Sequence, residues 1–389
     1  MLEQLNNIHP EMIELRRHFH MYPELSFQEE KTPAYIAEYL AKLGNVEVKT
    51  HVGERGVVGI IKGKNPGKTV ALRADFDALN LQDEKDVPYK SQVPGVMHAC
   101  AHDSHAAALL GVAKVLSQNT DKFNGEVRLL FQHAEEKLPG GAIAMIADGC
   151  LDGVNAVFGT HVTSKSPVGT YEYRSGYLMA NADTFTINIQ GKGGHGASPQ
   201  ETVDAVIIAA NVIINLQQIV SRRVDPLSQA VLSVGKIEAG SAHNIIADSA
   251  LIKGTVRTYE TSVQDMIIRD IERIVKGCCE SAGATYTIDY EKGYPAVNND
   301  PAETARAVAS LSKIVSKENI IEMKPIMGGE DFGYFLQKVP GTFFFTGGGN
   351  IEKGITAPHH HPKFDIDEDA LLFASKGLLQ IALDYLNVE

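Results

Sequence analysis

Several short runs in this 389-residue chain gather side chains of the kind that hold metal ions and move protons. In HACAHD, Cys100 and His102 stand two apart, immediately before a helical run. Residues two apart do not share a helix face, so both can address one centre only from a turn or an extended segment. Thiolate and imidazole are good ligands for zinc and similar ions. After the apolar strand VRLLFQ comes His133-Ala134-Glu135-Glu136. Adjacent carboxylates at the end of a buried strand are costly unless paired or bound to metal. Neighbouring side chains leave a strand end in different directions, so one can ligate while the other faces a bound water. That division of labour is what metal-assisted hydrolysis requires. His161 follows another apolar strand, AVFGT, and the run Pro358-His359-His360-His361-Pro362 offers a further imidazole, of which one is enough. Asp75 and Asp77 in RADFDAL end yet another apolar strand, where they can orient ligating side chains from behind or pair with Arg73. Each feature has a bland reading: a buried Cys, a satisfied His, an exposed acidic loop. Their repetition at strand ends favours chemistry.

The elements that must position these groups follow from periodicity. Residues 9–43 read as helical and close on Gly44; GVVGIIKG and TVALRADFDAL read as strands. HACAHDSHAAALLGVAKVLSQN ends in an amphipathic helix with Asp103 or Ser104 as N-cap. VRLLFQ is a strand, GAIAMIADG a helix and AVFGTHV a strand, an alternation that predicts an α/β fold with a mainly parallel sheet covered on both faces. Sites in such sheets form at the C-terminal ends of strands, where these residues fall. Between 181 and 293 the order becomes β-α-β-β-α-β, the split pattern of ferredoxin-like α+β domains. Two domains are therefore expected: 1–180 with 294–389, and an inserted 181–293.

Composition narrows the function. A hydrophobic share of 44% and a charged share of 22% are ordinary for a globular chain. The net charge of -12 argues against nucleic acid or an anionic membrane surface as partner. No run of about 18 consecutive apolar residues occurs, which speaks against a membrane span. MLEQLNNIHPEMIELRRHF lacks the plan of a signal peptide. Cys100, Cys150, Cys278 and Cys279 do not form a disulfide framework, so a reducing cytoplasm is expected, with Cys100 free to ligate.

With these residues in view, the chain resembles the aminoacylase/hippurate hydrolase branch of the co-catalytic metallopeptidases. That group includes carboxypeptidase G-like enzymes and plant indole-acetyl-amino-acid hydrolases. RRHFHMYPELSFQEE, RADFDAL, MHACAHDSH, HAEE, GTHV, GKGGHGASP, AGSAHNIIADSALIKGTVRT, MGGEDFGYF and HHHPKFDIDEDAL occur in the family's order over nearly the whole chain. The resemblance implies two divalent ions per subunit (Zn, Mn, Co or Ni), bridged by Cys100 and held further by His102, Glu136, His161 and His360. In the family's H-x-P-x-F motif the liganding His stands two before the Pro, which selects His360. Glu135 is implied as general base. His195, in GGHGA, is similar to the histidine that reaches the partner subunit's site and stabilises an oxyanion. Asn244 and Arg257 match the pair near the substrate carboxylate. The implied activity is hydrolysis of N-acyl-amino acids by a homodimer joined through its inserted lid.

The chain departs from the family pattern at Ala101, where glycine is usual, at His133, where proline is usual, and at KLPGG after the two glutamates. These touch the edges of the site and leave the ligand set intact. Outside the resemblance, His195 reads as part of a tight turn and Arg257 as a surface cation. Cys278 and Cys279 read as packing residues, and His18, His20, His98, His105 and His243 as structural. Three rival functions remain: a dipeptidase or carboxypeptidase with the same centre, a metal-binding protein without catalysis, and a hydrolase using Cys100 as nucleophile.

Overall fold

The structure is a computed structural model and describes residues 1–387. The chain forms two compact units. Met1–Leu178, Val297–Pro325 and the residues from Asp331 onward make the first, and Met179–Ala296 with Ile326–Glu330 the second. The second unit thus starts and ends slightly outside the expected 181–293. It also takes up Ile326–Glu330, because the N–H of Ala180 meets the carbonyls of Ile326 and Gly328 at 3.2 and 3.1 Å.

In chain order the main strands are β1 (Glu47–Val52), β2 (Gly56–Lys62), β3 (Thr69–Asp75), β4 (Glu126–Gln132), β5 (Ala156–Pro167), β6 (Tyr171–Tyr173), β7 (Ala182–Gln190), β8 (Ala230–Ala239), β9 (Ser249–Thr258), β10 (Thr285–Tyr294), β11 (Ile320–Glu322) and β12 (Gly341–Gly349). The helices used below are α1 (Leu2–Met21), α2 (Lys31–Lys42), α3 (His102–Ser117), α4 (Gly141–Ala147), α5 (Ala205–Gln218), α6 (Thr261–Ala282), α7 (Pro301–Leu311) and α8 (Asp369–Asn387).

The first unit is built on one eight-stranded sheet, ordered β1-β2-β4-β3-β5-β12-β6-β11. Its middle strands β4, β3, β5 and β12 run parallel. β2 joins β4, and β6 joins β12, antiparallel. The expected parallel sheet is therefore the centre of a mixed one. β1 and β2 are linked by a turn at 53–55, too short for a parallel crossover. Continuous apolar runs in β2, β3 and β12 reflect cover on both faces. On one face, Met12, Leu15 and Phe19 of α1 and Leu109, Val112 and Leu116 of α3 share a core with Leu378 and Leu379 of α8. Small residues let α3 lie this deep, since a Cβ on Gly111 would collide with the Met12 sulfur.

The single expected helix over 9–43 is two helices. Pro23 cannot continue the first ladder, and the Glu24 carboxylate instead caps α2, accepting N–H bonds from Lys31 and Thr32 at 3.0 and 2.8 Å. Nor is α3 capped by Asp103 or Ser104. Its N-cap is Ala101 in the left-handed region, because Asp103 is committed to Arg16 at 3.0 Å and His20 at 2.7 Å.

In the second unit β7 to β10 form an all-antiparallel sheet ordered β8-β9-β7-β10, the ferredoxin-like arrangement. Phe185, Ile187 and Ile189 alternate inward along β7 and pack on Ile208, Val212 and Leu216 of α5 and Ile267, Ile271 and Val275 of α6. The Asp204 carboxylate caps α5 through the N–H groups of Val206 and Ile207. Ala205–Arg223 has a mean hydropathy of 1.4 and is, by length and composition, apolar enough to cross a membrane. The sequence expectation overlooked it because polar residues interrupt the run. Its Ile208, Val212, Leu216 and Ile219 belong to this core.

Gly341, where β12 enters beside β5, has no room for a side chain: a Cβ there would collide with the carbonyl oxygen of Val157. Gly341→Ala should destabilise the protein by about 1–3 kcal/mol. Gly277→Ala, on α6 with open space around it, should gain about 0.5–1 kcal/mol. Urea unfolding of both variants checks the sign of each.

Candidate metal centre

Strand register sets the site. Asp75 stands opposite Gln132, so β3 and β4 end level. β3 stops pairing with β5 at Arg73 opposite Gly159, just before His161. β5 itself continues to Pro167, so His161 lies within a strand and not at its terminus. The chain after β3 carries Asp77, the chain after β4 carries Glu135 and Glu136, and α3 begins at His102.

Ligand-type atoms converge here. The donor atoms of Cys100, His102 and His161 lie within 4.8 Å of one another, and so do those of Cys100, Glu136 and His360. The two sets share Cys100. A third set joins His102 with Glu135 and Glu136, with distances of 3.8 and 3.9 Å from His102 Nε2 to the two carboxylates. His360 Nε2 approaches Glu136 Oε1 at 3.3 Å. All these residues are in the first unit.

Hydrogen bonds behind the site aim the imidazoles. His102 Nδ1 sits 3.0 Å from the Asp77 carbonyl and 3.2 Å from its carboxylate, so Nδ1 carries the proton and Nε2 faces the cluster. His161 Nδ1 donates to the Val162 carbonyl at 2.9 Å, leaving Nε2 3.4 Å from Cys100 Sγ. His105 holds the two strands together: Nδ1 donates to Asp75 at 2.6 Å while Nε2 accepts the Val162 N–H at 2.8 Å. Arg73, buried in the sheet, donates to Gln132 at 2.8 Å, Asp75 at 2.6 Å and Asp331 at 2.9 Å. Asp75 is therefore both an ion-pair partner of Arg73 and a support for the site, the two roles left open by the sequence.

Around the site, buried carboxyl groups outnumber cationic side chains. Burial works against ionisation of Asp75, yet Arg73, His102 and His105 hold its carboxyl well below the usual range. Burial, together with Glu136, Glu135 and Asp75, pushes the Cys100 thiol well above its ordinary value. Against the pull of burial, Asp75 and Asp77 raise His102 to about 10. Burial and the neighbouring His105 and His359 push His161 well down, and His359 falls to about 3. Among the described residues, His102 Nε2, Glu136 Oε1 and His359 Nε2 are buried without a hydrogen-bond partner. Buried nitrogen lone pairs that converge with a thiol and carboxylates fit a divalent cation, and the N/S/O donor set suits zinc and its first-row neighbours.

The second unit carries the remaining predicted residues. His195 is exposed and pairs with Ile245 across a two-residue bridge. Asn244 is its neighbour, its carbonyl accepting the N–H of Gly196 at 2.9 Å. Arg257 lies on β9 opposite Val231; its half-buried guanidinium donates to Thr255 Oγ1 and to the Asp183 carbonyl at 3.3 Å. Burial lowers its pKa.

Sequence reasoning passed over His359, whose Nδ1 lies 3.4 Å from Cys100 Sγ. His360 has φ of 60° and an exposed side chain, so the chain reverses between the two imidazoles and both can face inward. The triplet itself was the signal, but the expectation that one imidazole suffices closed off the second. His105 was left to structure, whereas Asp77, expected to orient ligating side chains or to pair with Arg73, holds His102 from behind. His98 is fully enclosed, with burial driving its pKa to about 3.

An α/β sheet carrying overlapping donor sets at its strand ends, with carboxylates beside them, defines a metal-dependent hydrolase. The chain belongs to the peptidase family M20/M25/M40, whose family model matches residues 71–384, and it is a hydrolase of amide bonds. It is 47% identical over 300 residues to N-acyl-L-amino acid amidohydrolase of Geobacillus stearothermophilus, covering 77% of this chain and 81% of that one. It is 43% identical over 394 residues to Thermostable carboxypeptidase 1 of Saccharolobus solfataricus, covering 100% and 99%. Among solved structures, the Bacillus subtilis YXEP protein, described as a dinuclear metal binding peptidase from M20 family, superposes with a TM-score of 0.86 at 34% identity, covering 99% of this chain and 100% of that one.

Replacing Arg73 by Met would leave Asp75 and Asp331 buried without their cation. The expected loss is about 3–5 kcal/mol, measured by urea unfolding. A loss below about 1 kcal/mol would show that Arg73 does not carry the charge balance under the site.

Proposed function

We propose that the chain hydrolyses the amide bond of N-acyl-amino acids, releasing a carboxylate and a free amino acid. The observation that carries this reading is the pair of donor sets sharing Cys100, with Glu135 buried beside them. Cys100, His102, Glu136, His161 and His360 would hold two divalent ions. When bound, these ions supply Lewis acidity toward the amide carbonyl and lower the pKa of the attacking water. Glu135 takes the proton from that water and returns it to the departing amine. His195 donates to the developing oxyanion, and a second copy of the chain supplies it in a homodimer joined through the second unit. Arg257 and Asn244 hold the carboxylate of the amino acid, which fixes the scissile bond. A cytoplasmic setting, where Cys100 stays reduced, agrees with this chemistry.

Cys100 as nucleophile is disfavoured: burial and the surrounding carboxylates push the thiol up, opposite to what an activated cysteine needs. A second reading, hydrolysis of dipeptides or peptide C-termini, draws support from the likeness to a carboxypeptidase. N-acetyl, N-benzoyl and dipeptide substrates compared by kcat/KM separate the two.

Three outcomes test the mechanism. Glu135→Gln should lower kcat at least about 100-fold while metal content is unchanged; wild-type turnover in that variant would overturn Glu135 as base. EDTA should abolish activity, and zinc, manganese, cobalt or nickel should restore it, whereas a cysteine nucleophile would survive chelation. Mixing His195→Ala with Glu135→Ala subunits should recover part of the activity, and verified heterodimers without recovery would rule out a shared site.

A further inference from the structure

The motif PELSFQEE has no part in the mechanism above, yet it lies directly under the loop that carries Glu135. Its chain is tied to the end of β3: Leu25 bridges to Ala78, whose N–H donates to the Glu24 carbonyl at 2.8 Å. From this base the side chains of Ser26 and Glu29 reach the glutamate loop. Glu29 is 1% exposed, and its Oε1 accepts the N–H of Ala134 at 2.8 Å. Asp77 Oδ2 accepts the N–H of Glu136 at 3.0 Å and the hydroxyl of Ser26 at 2.6 Å. The two peptide N–H groups that flank Glu135 are thus each held by a buried carboxyl group.

What this grip must hold is a backbone shape that alanine does not favour. Ala134 has φ of 53°, and Phe27 of the facing segment has φ of 64°. Left-handed non-glycine residues persist where their surroundings over-determine them. Phe27 also meets the ring of His133 edge to face, with centroids 6.0 Å apart. Arg55 Nη1 donates to the Glu29 carbonyl at 2.7 Å and fixes the segment from its other side.

We propose that Glu29 is a positioning residue for the reaction: with Asp77 it clamps the peptide groups on both sides of Glu135, fixing the left-handed turn at Ala134 that presents the Glu135 carboxylate to the site. The role is that of a hydrogen-bond acceptor and not of a charge. Burial and the nearby Asp77 raise the Glu29 pKa to about 8, and glutamine keeps a side-chain oxygen able to accept the Ala134 N–H.

The proposal rests on Glu135 as the base, and its test is separable from the test of that reading. Glu29→Leu, Glu29→Gln, Ser26→Ala and Glu135→Gln are compared for kcat and KM on an N-acetyl-amino acid, with metal content and thermal unfolding measured in parallel. Glu29→Leu should lower kcat about 10- to 100-fold, with KM within about 3-fold of wild type and metal content unchanged. Glu29→Gln should recover at least about a third of the wild-type kcat. Ser26→Ala, which loosens Asp77, should lower kcat several-fold without moving KM. Wild-type kcat in Glu29→Leu, equal losses in the Leu and Gln variants, or a kcat loss that follows metal loss would each overturn the clamp. Should Glu29→Leu fail to fold, Ser26→Ala decides, and wild-type kcat there overturns it. An inactive Glu135→Gln beside an active Glu29→Leu rejects the clamp alone; an active Glu135→Gln rejects the base reading itself.

Discussion

The first unit is organised around a group of carboxylates that outnumber the cationic side chains beside them. Asp75, Asp77, Glu135 and Glu136 crowd the ends of β3 and β4 beside the Cys100 thiol, and the buried Arg73 meets only part of that charge. Burial and the surrounding carboxylates push the Cys100 thiol up, and against burial Asp75 and Asp77 raise His102. Divalent cations would resolve both at once, favouring thiolate and neutral imidazole in the same space. Much of the surrounding architecture holds these side chains in fixed directions. The deep burial of α3, the ties through His105 and the Arg73 network all serve that end.

How far this was legible in the sequence depends on the range of the information. Local grammar located many of the strands, and polar groups after an apolar run or just before a helix drew attention to Glu135, Glu136 and His161 and to Cys100 and His102, although His161 lies within its strand. Local grammar also recovered the β-α-β-β-α-β order of the second unit. It did not recover the antiparallel flanks of the large sheet, since neighbours such as β2 and β4 are set by pairing across more than sixty positions. Helix boundaries failed at Pro23 and Ala101 for a related reason. The side chains that would have capped locally, such as Asp103, are taken by distant partners.

The second unit has its own core, cap and sheet, so its fold does not require the charge balance of the first. What its sequence could not express is how it presents chemistry. His195 and Asn244 meet through a two-residue bridge between segments about fifty positions apart, too short to read as strands. Arg257 looked like a surface cation on a strand, yet it is half-buried and committed to the Thr255 hydroxyl and backbone carbonyls. A guanidinium held in this way keeps a fixed direction.

Backbone conformation supplies the last link between sequence and site. Among the described residues, the non-glycine positions of positive φ are Phe27, Asn45, His51, Glu54, Ala101, Ala134 and His360. Asn45, His51 and Glu54 lie next to α2 or at the β1–β2 turn, where tight reversals need no further cause. Of the other four, Ala101, Ala134 and His360 adjoin the candidate metal centre, and Phe27 faces His133 at the head of the glutamate loop. Each disfavours folding by roughly 1–2 kcal/mol, and each makes two nearby side chains leave the chain in directions that helix or strand would not allow. Ala101 answers the question that HACAHD raises: a left-handed residue stands between Cys100 and His102, whose donor atoms lie within 4.8 Å of one another and of His161. Glycine would meet that demand without strain, which gives a physical meaning to alanine's departure from the family pattern at this position. The same logic at Ala134 separates Glu135 from the backbone it would otherwise follow, and at His360 it sets two consecutive imidazoles on one space. Strain of this kind survives only where hydrogen bonds on either side hold it, which is why the loop segments beneath the site matter as much as the ligands they support.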